Sequence, residues 1–184
     1  MRFVSGVPSE LRPGLVANVA RYRHKVFVEK LGWELKCDNA FEYDQFDRDD
    51  TVYVVAQNDS EEIVGTARLL PTTRPYLLGE IFPQLLNDLP PPASGDVWEL
   101  SRFAAVDFNA ATTSASKQFS SHVAIELLHT SLKSAAARGA KRLITVSPIG
   151  VERLLRNAGI RAHRAGPPMI VEGNPIFACW ISIY

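Results

Sequence analysis

Four charged residues stand where the pattern of the chain calls for apolar ones. Arg23 completes a helical ladder whose other rungs are Leu11, Leu15, Val19, Phe27 and Leu31. Arg68 falls within the β-branched and apolar run from Ile63 to Leu70, while Glu99 and Arg102 fall within the strand-like run from Trp98 to Val106. Removing an unpaired ion from water costs roughly several kcal/mol or more, so charges on such elements need partners. Asp44 and Asp47, three apart in an acidic and aromatic stretch, supply anions, as does Glu99. Each can meet a guanidinium through two parallel hydrogen bonds. For Arg23 alone, a structural salt bridge explains the pattern. For Arg23, Asp44, Asp47, Arg68, Glu99 and Arg102 together, the better reading is a polar cleft that does chemistry, because a fold seldom needs so many charges in one place.

Side chains on a regular strand alternate between faces, so Glu99 and Arg102 should point to opposite sides of a sheet. For both to serve one site the alternation must break. A β-bulge would break it, and bulges are common beside active sites.

The elements that must carry these residues can be read from periodicity. The ladder from Leu11 to Leu31 predicts one or two amphipathic helices stopped at Gly32. The stretch from Trp33 to Asp50 reads as a loop able to close over a ligand. Thr51 to Ala56 is apolar on both faces, as a central strand is, and pairs as a hairpin with Ile63 to Leu70 across the turn Asn58-Asp59-Ser60. Asn87 to Gly95, with prolines at 90, 91 and 92, is a surface loop rather than a domain linker. A strand from Trp98 to Val106 follows. A long helix is marked by Phe119, Val123, Leu127, Ser131 and Ala135 and ends at Gly139. The remaining elements are a strand from Arg142 to Val146, a helix from Ile149 to Ala158 and a last strand from Ile176 to Ile183. This order predicts an α/β fold, a three-layer α/β/α sandwich around a mixed sheet.

Composition narrows the function classes. A chain of 184 residues suits a single domain spanning 1–184, and no run of apolar residues is long enough for a membrane span. The first eight residues lack the apolar core of a secretion signal, so the expected location is cytoplasmic. The formal net charge is zero, which argues against nucleic acid as the main partner. The charge is nonetheless split: residues 1–99 hold 10 Lys and Arg against 16 Asp and Glu, and residues 100–184 hold 10 against 4. The basic second part could present a face to an acidic protein, or could carry ordinary solvated helix faces. Cys37 and Cys179 read as free thiols, and His24, His122, His129 and His163 show neither metal-ligand nor nucleophile-triad spacing, so no metal is implied. No glycine-rich dinucleotide or Walker loop is present.

The ordered set Arg23-x-x-x-Phe27, Trp33, Asp44-x-x-Asp47, Arg68, Phe82 and Glu99-Leu100-Ser101-Arg102-Phe103 resembles that of the acyl-homoserine-lactone synthases, also called autoinducer synthases. The likeness covers nearly the whole chain. It implies a fold similar to the GCN5-related N-acetyltransferases. It also implies a reaction joining S-adenosylmethionine, as a substrate rather than a cofactor, to an acyl chain delivered on acyl carrier protein. The products are a quorum-sensing lactone, holo-carrier and methylthioadenosine. By the same resemblance Glu99, directly or through water, is the catalytic base, with Arg102 beside it. Arg23, Phe27, Trp33, Asp44, Asp47, Arg68, Phe82 and Arg102 build or order the S-adenosylmethionine pocket, and the acyl chain runs past Ser101, Phe103, Thr145 and Ser147. A threonine such as Thr145 could hydrogen-bond a β-keto oxygen or be an ordinary strand threonine.

Two rivals bear on the same residues. An acyl-CoA-dependent N-acetyltransferase of the same fold would cradle pyrophosphate with a glycine-rich turn, whereas Asn109 to Ser116 has no glycine. A non-catalytic ligand-binding domain would have no use for charges on core strands.

Overall fold

The computed structural model describes residues 1–109 and 122–183. Strand β1 (Arg2–Gly6) leads through a 3-10 turn into helix α1 (Leu15–Arg23), which continues as a π-helix over His24–Lys30. A small hairpin, β2 (Cys37–Asp38) and β3 (Phe41–Glu42), precedes the long hairpin β4 (Val52–Gln57) and β5 (Ile63–Pro71). Helix α2 (Leu77–Ile81), a 3-10 turn at Pro83–Leu86 and strand β6 (Val97–Ala104) follow. Helix α3 (His122–Ala136), β7 (Arg142–Pro148), α4 (Val151–Asn157), β8 (Ala162–Arg164), β9 (Met169–Val171) and β10 (Asn174–Ser182) complete the chain.

Among the described residues, eight strands form one sheet in the order β1-β4-β5-β6-β7-β10-β8, with β9 also paired to β10, and only the β6–β7 pairing is parallel. Leu15 and Val19 of α1 pack on Tyr53 and Val55 of β4, while Val52 and Val54, turned the other way, pack with Leu127 and Leu128 of α3 and Leu154 and Leu155 of α4. On the α1 side, Leu78 of α2 and Leu85 cover Leu70, Ile144 and Ala178. This is the three-layer α/β/α sandwich around a mixed sheet that the element order predicts.

The differences from the sequence reading lie in short elements. Gly14, with φ at 81°, caps α1, so Leu11 falls outside the helix that its spacing extends. From His24 the helix widens, with the Leu31 N–H bonded to the Val26 carbonyl at 3.0 Å and His24 Nδ1 3.1 Å from Glu29 Oε1, both five residues apart. The expected loop after Trp33 contains the β2–β3 hairpin, turned by Asn39 and Ala40 with φ at 49° and 65°, a primed turn without its usual glycine. Edge strand β1, helix α2 and strands β8 and β9 are too short for periodicity to reveal. The predicted helix start at Phe119, and the stretch from 110 to Ser116, lie outside the described residues.

Candidate active site

The alternation on β6 does break where the chemistry requires it. Arg68 pairs with Ser101 and Thr66 with Ala104, so Arg102 and Phe103 together oppose the single residue Ala67. Arg102 takes the strain, with φ at 50°, a left-handed conformation that non-glycine residues adopt at a cost of roughly 1–2 kcal/mol. The bulge turns the Arg102 side chain to the α1 face, where Glu99 and Ser101 already point, and sends Phe103 to the α3 face.

On the α1 face three arginines and three carboxylates close into one network. Arg23, 1% exposed, binds Asp47 with both terminal nitrogens, at 2.7 and 3.1 Å, and donates through Nε to Glu42. Arg102 clasps Glu42 from the other side, with Nη2 to Oε1 at 2.9 Å and Nε to Oε2 at 3.1 Å, and reaches Asp44 at 3.0 Å. Arg68 donates to Asp44 at 2.6 Å and to the Ser101 hydroxyl at 3.1 Å, and lies 3.3 Å from Asp47. The Tyr53 hydroxyl donates to Asp47 at 2.9 Å. Burial opposes the charge on Arg23, Glu42 and Asp47, but their partners outweigh it. Glu42 is lowered by Arg102 and Arg23, Asp47 by Arg23 and Arg68, and Arg23 is raised by Asp47 and Glu42. Arg68 Nη2 is buried and has no hydrogen-bond partner among the described residues.

Glu42 is the functional candidate that sequence reasoning missed, and its signal was charge balance. Three buried arginines need three anions, and counting Glu99 as the third left Glu42 unsought. Glu99 stands outside the network. Fully buried, it accepts the Leu77 N–H at 3.1 Å and the Leu78 N–H at 2.6 Å, the first amides of α2, rather than an arginine as the sequence suggested. Burial pushes its pKa up to about 7 against the pull of those amides and of Arg68. The turn that presents the amides is fixed by Tyr76, whose hydroxyl donates to the Pro92 carbonyl at 2.7 Å and whose ring lies where a Cβ on Gly79 would come within 2.9 Å.

Aromatic residues flank the network. Phe27 and Trp33 stack with centroids 4.9 Å apart, and the Arg102 guanidinium lies 5.7 Å from the Phe27 ring. Phe82, half-buried, ends α2 and packs with the cluster around Leu78. The four residues expected along the acyl chain divide between the faces of the sheet. Ser101 lies with Arg68 on the α1 side. Thr145, opposite Leu100 and Cys179, and Ser147, opposite Phe177, lie on the α3 side with Phe103, their hydroxyls 3.0 Å apart. The pairing of β6 with β7 stops at Leu100 and Thr145, although both strands run on.

The autoinducer synthase profile matches residues 10–183. The chain belongs to the autoinducer synthase family. It is 57% identical over 183 residues to the acyl-homoserine-lactone synthase of Acinetobacter nosocomialis, covering 100% of both chains. The crystal structure of TofI in a ternary complex with an inhibitor and MTA matches at 44% identity and a TM-score of 0.85, over 100% of this chain and 92% of that one. A CoA-dependent acyl-homoserine lactone synthase, BjaI, with SAM and isopentyl-CoA, matches at 26% identity and a TM-score of 0.85, over 99% and 82%. At the level of fold alone, an acyl-CoA N-acyltransferase from Pseudomonas aeruginosa matches at 12% identity and a TM-score of 0.65, over 98% and 99%. This autoinducer synthase is therefore an acyl-transferring enzyme with a GCN5-related fold, and the network, Glu99 and the break between β6 and β7 are its candidate active site.

Proposed function

We propose that this enzyme makes an acyl-homoserine lactone from S-adenosylmethionine and an acyl chain carried as a thioester on acyl carrier protein. The observation that carries the reading is Glu99, a fully buried carboxyl with its pKa pushed up to about 7, beside a network that holds three arginines on the same face. A base poised near the working pH suits the first step. Glu99, directly or through water, takes a proton from the methionyl ammonium. The freed amine attacks the thioester carbonyl, the amide bond forms, and the carrier thiol leaves with a proton. The substrate's own carboxylate then attacks its γ-carbon, the C–S bond breaks, and methylthioadenosine departs, so no protein nucleophile is needed. Proximity and orientation supply much of the rest.

In this reading Arg23, Asp44, Asp47, Arg68 and Arg102, with Glu42, order the pocket for S-adenosylmethionine. The unpartnered Arg68 Nη2 is a donor suited to the substrate carboxylate. Phe27, Trp33 and Phe82 offer aromatic faces to adenine or the sulfonium. The acyl chain passes the break between β6 and β7, from Ser101 to Phe103, Thr145 and Ser147, where the hydroxyl pair can meet oxygen at the 3-position.

The test incubates the enzyme with S-adenosylmethionine and, in separate arms, acyl carrier protein or coenzyme A loaded with mixed acyl chains, and reads products by mass spectrometry. Lactone and methylthioadenosine in equal amounts, formed faster from the carrier protein, are expected. Faster synthesis from acyl-CoA would overturn the carrier assignment, and acylation of other amines without methylthioadenosine would overturn the reaction. Glu99→Gln should bind S-adenosylmethionine and lose roughly a hundredfold or more in acyl transfer, the scale of a lost general base.

A further inference from the structure

Tyr76 lies outside the charged network, is 4% exposed, and donates its hydroxyl to the Pro92 carbonyl at 2.7 Å. That carbonyl is a fixed point. Pro90, Pro91 and Pro92 restrict the backbone, and Thr72, just past β5, ties down the residues that follow, its hydroxyl donating to the Val97 carbonyl at 2.8 Å and accepting from the Ser94 N–H at 3.1 Å. On the other side of the turn Arg48, next in sequence to Asp47, donates Nη1 to the Pro75 carbonyl at 2.6 Å. The backbone is thus gripped from two sides immediately before the Leu77 and Leu78 amides that meet Glu99. The grip is needed, because α2 has five residues and no side-chain cap at its start, and a helix so short does not hold its own first amides in place.

Glu99 has no other donor to turn to. Its cross-strand neighbours Leu70 and Ile144 are apolar, and the two cations that face it, Arg68 from β5 and Arg102 from β6, bond to the network carboxylates. Burial and the charges of Glu99 and Glu80 hold the Tyr76 phenol above its usual range, so it stays protonated and donating at every assay pH. We propose that Tyr76 is a positioning residue for acyl transfer: anchored to Pro92, it keeps the Leu77 and Leu78 amides on the Glu99 carboxyl and thereby sets the proton affinity of that carboxyl. The inference rests on the reading of Glu99 as the base. Without the anchor the amides turn away, the ionised carboxyl loses donors that favour it, and Glu99 holds its proton to higher pH.

Two variants remove the anchor by different routes. Tyr76→Phe deletes the hydroxyl and keeps the ring in the core. Gly79→Ala keeps the hydroxyl but sets a Cβ 2.9 Å from the ring carbon that bears it, so the ring must shift and carry the hydroxyl off its carbonyl. Alanine favours a helix over glycine, so a role confined to the stability of α2 would leave Gly79→Ala unimpaired. In both variants the acid limb of the kcat profile should instead move up by about one pH unit, the scale of one hydrogen bond to a charged group, with the KM for S-adenosylmethionine unchanged. Near pH 6.5 that is roughly a tenfold loss of kcat, and by about pH 9 the loss is nearly gone. Carbon-13 NMR of protein labelled at the glutamate carboxyls reads the same quantity without catalysis. The resonance missing from Glu99→Gln belongs to Glu99, and its midpoint, about 7 in the wild type, should rise by the same amount in both variants. A midpoint that stays at the wild-type value in Tyr76→Phe would overturn the proposal, as would a loss of kcat equal at every pH. An acid limb that survives unchanged in Glu99→Gln would instead overturn Glu99 as the base, and the carboxyl midpoint would still decide whether Tyr76 sets its proton affinity.

Discussion

Replacing Glu99 by Gln should reverse the order of stability between the two proteins as pH rises. In the folded chain burial holds the Glu99 pKa at about 7, against 4.5 for an ordinary glutamate. Below the lower value the carboxyl is protonated whether the chain is folded or not, and above the upper value it is ionised in both. Between them only the folded chain keeps the proton. Unfolding then releases it, and stability falls as pH rises, by about 1.4 kcal/mol per unit. Across the gap from 4.5 to 7 the wild type gives up about 3 kcal/mol. Glu42 and Asp47 have the opposite sign, since their lowered values contribute stability that is lost as pH falls, but they are present in both proteins and cancel in the difference. The Gln side chain sets an amide against the Leu77 N–H, which costs about 1 kcal/mol at every pH. Glu99→Gln should therefore be the less stable protein near pH 5 and the more stable by about 2 kcal/mol at pH 7.5. Urea unfolding followed by tryptophan fluorescence at half-unit steps of pH measures the difference. A difference that stays constant across this range would refute the buried, proton-holding carboxyl.

Three further outcomes follow from the same geometry. Arg102→Gly and Arg102→Ala both lose the Glu42 and Asp44 contacts, but glycine tolerates φ at 50°, so Arg102→Gly should be the more stable by about 1 kcal/mol in denaturant titration. Arg23→Ala and Asp47→Ala should each weaken S-adenosylmethionine binding, and the double variant should lose far less than the sum, because the second substitution removes a charge the first has already left unpaired; additive losses by calorimetry would count against one unit. Of the basic residues in the second part of the chain, Arg138, Lys141 and Arg164 are tied to Glu10, Asp96 and Glu152, whereas Arg153 is exposed on α4 just past the end of β7. Arg153→Glu should raise the KM for acyl carrier protein and flatten its salt dependence while leaving the KM for S-adenosylmethionine unchanged.

The parts of the molecule that periodicity describes were legible in advance. β4 is apolar on both faces because both faces are covered, and the charges at Arg23, Arg68 and Arg102 marked the side of the sheet that carries the site. The bulge on β6 was legible only as a requirement, since nothing in Ser101-Arg102-Phe103 signals a left-handed residue. What stayed hidden depends on contacts distant in sequence. Glu42 is set by a two-residue strand whose turn lacks glycine, and the partners of Glu99 are backbone amides of α2, which no side-chain pattern encodes. The expected acyl residues share a neighbourhood along β6 and β7, but strand parity and the bulge divide them between two faces.

The separation of Glu99 from the network has a chemical reason. A carboxylate clasped by arginines, as Asp47 is, is held well below the usual range and gives no purchase to a proton at neutral pH. A carboxyl buried without any compensation would stay protonated and could not act as a base at all. Two amide donors lie between these limits. They and the Arg68 charge, which makes no ion pair with Glu99, favour the ionised form enough to offset part of the burial, and the pKa settles at about 7. The network, with three arginines set against three carboxylates, ties the β2–β3 hairpin and the following loop to α1, β5 and β6. Glu99, the proposed base, sits on the same face of β6, one side-chain repeat from Ser101 and the Arg68 guanidinium that it meets. Under the proposed mechanism, holding the loop and moving the proton thus fall to different carboxylates, each with the partners its own task requires.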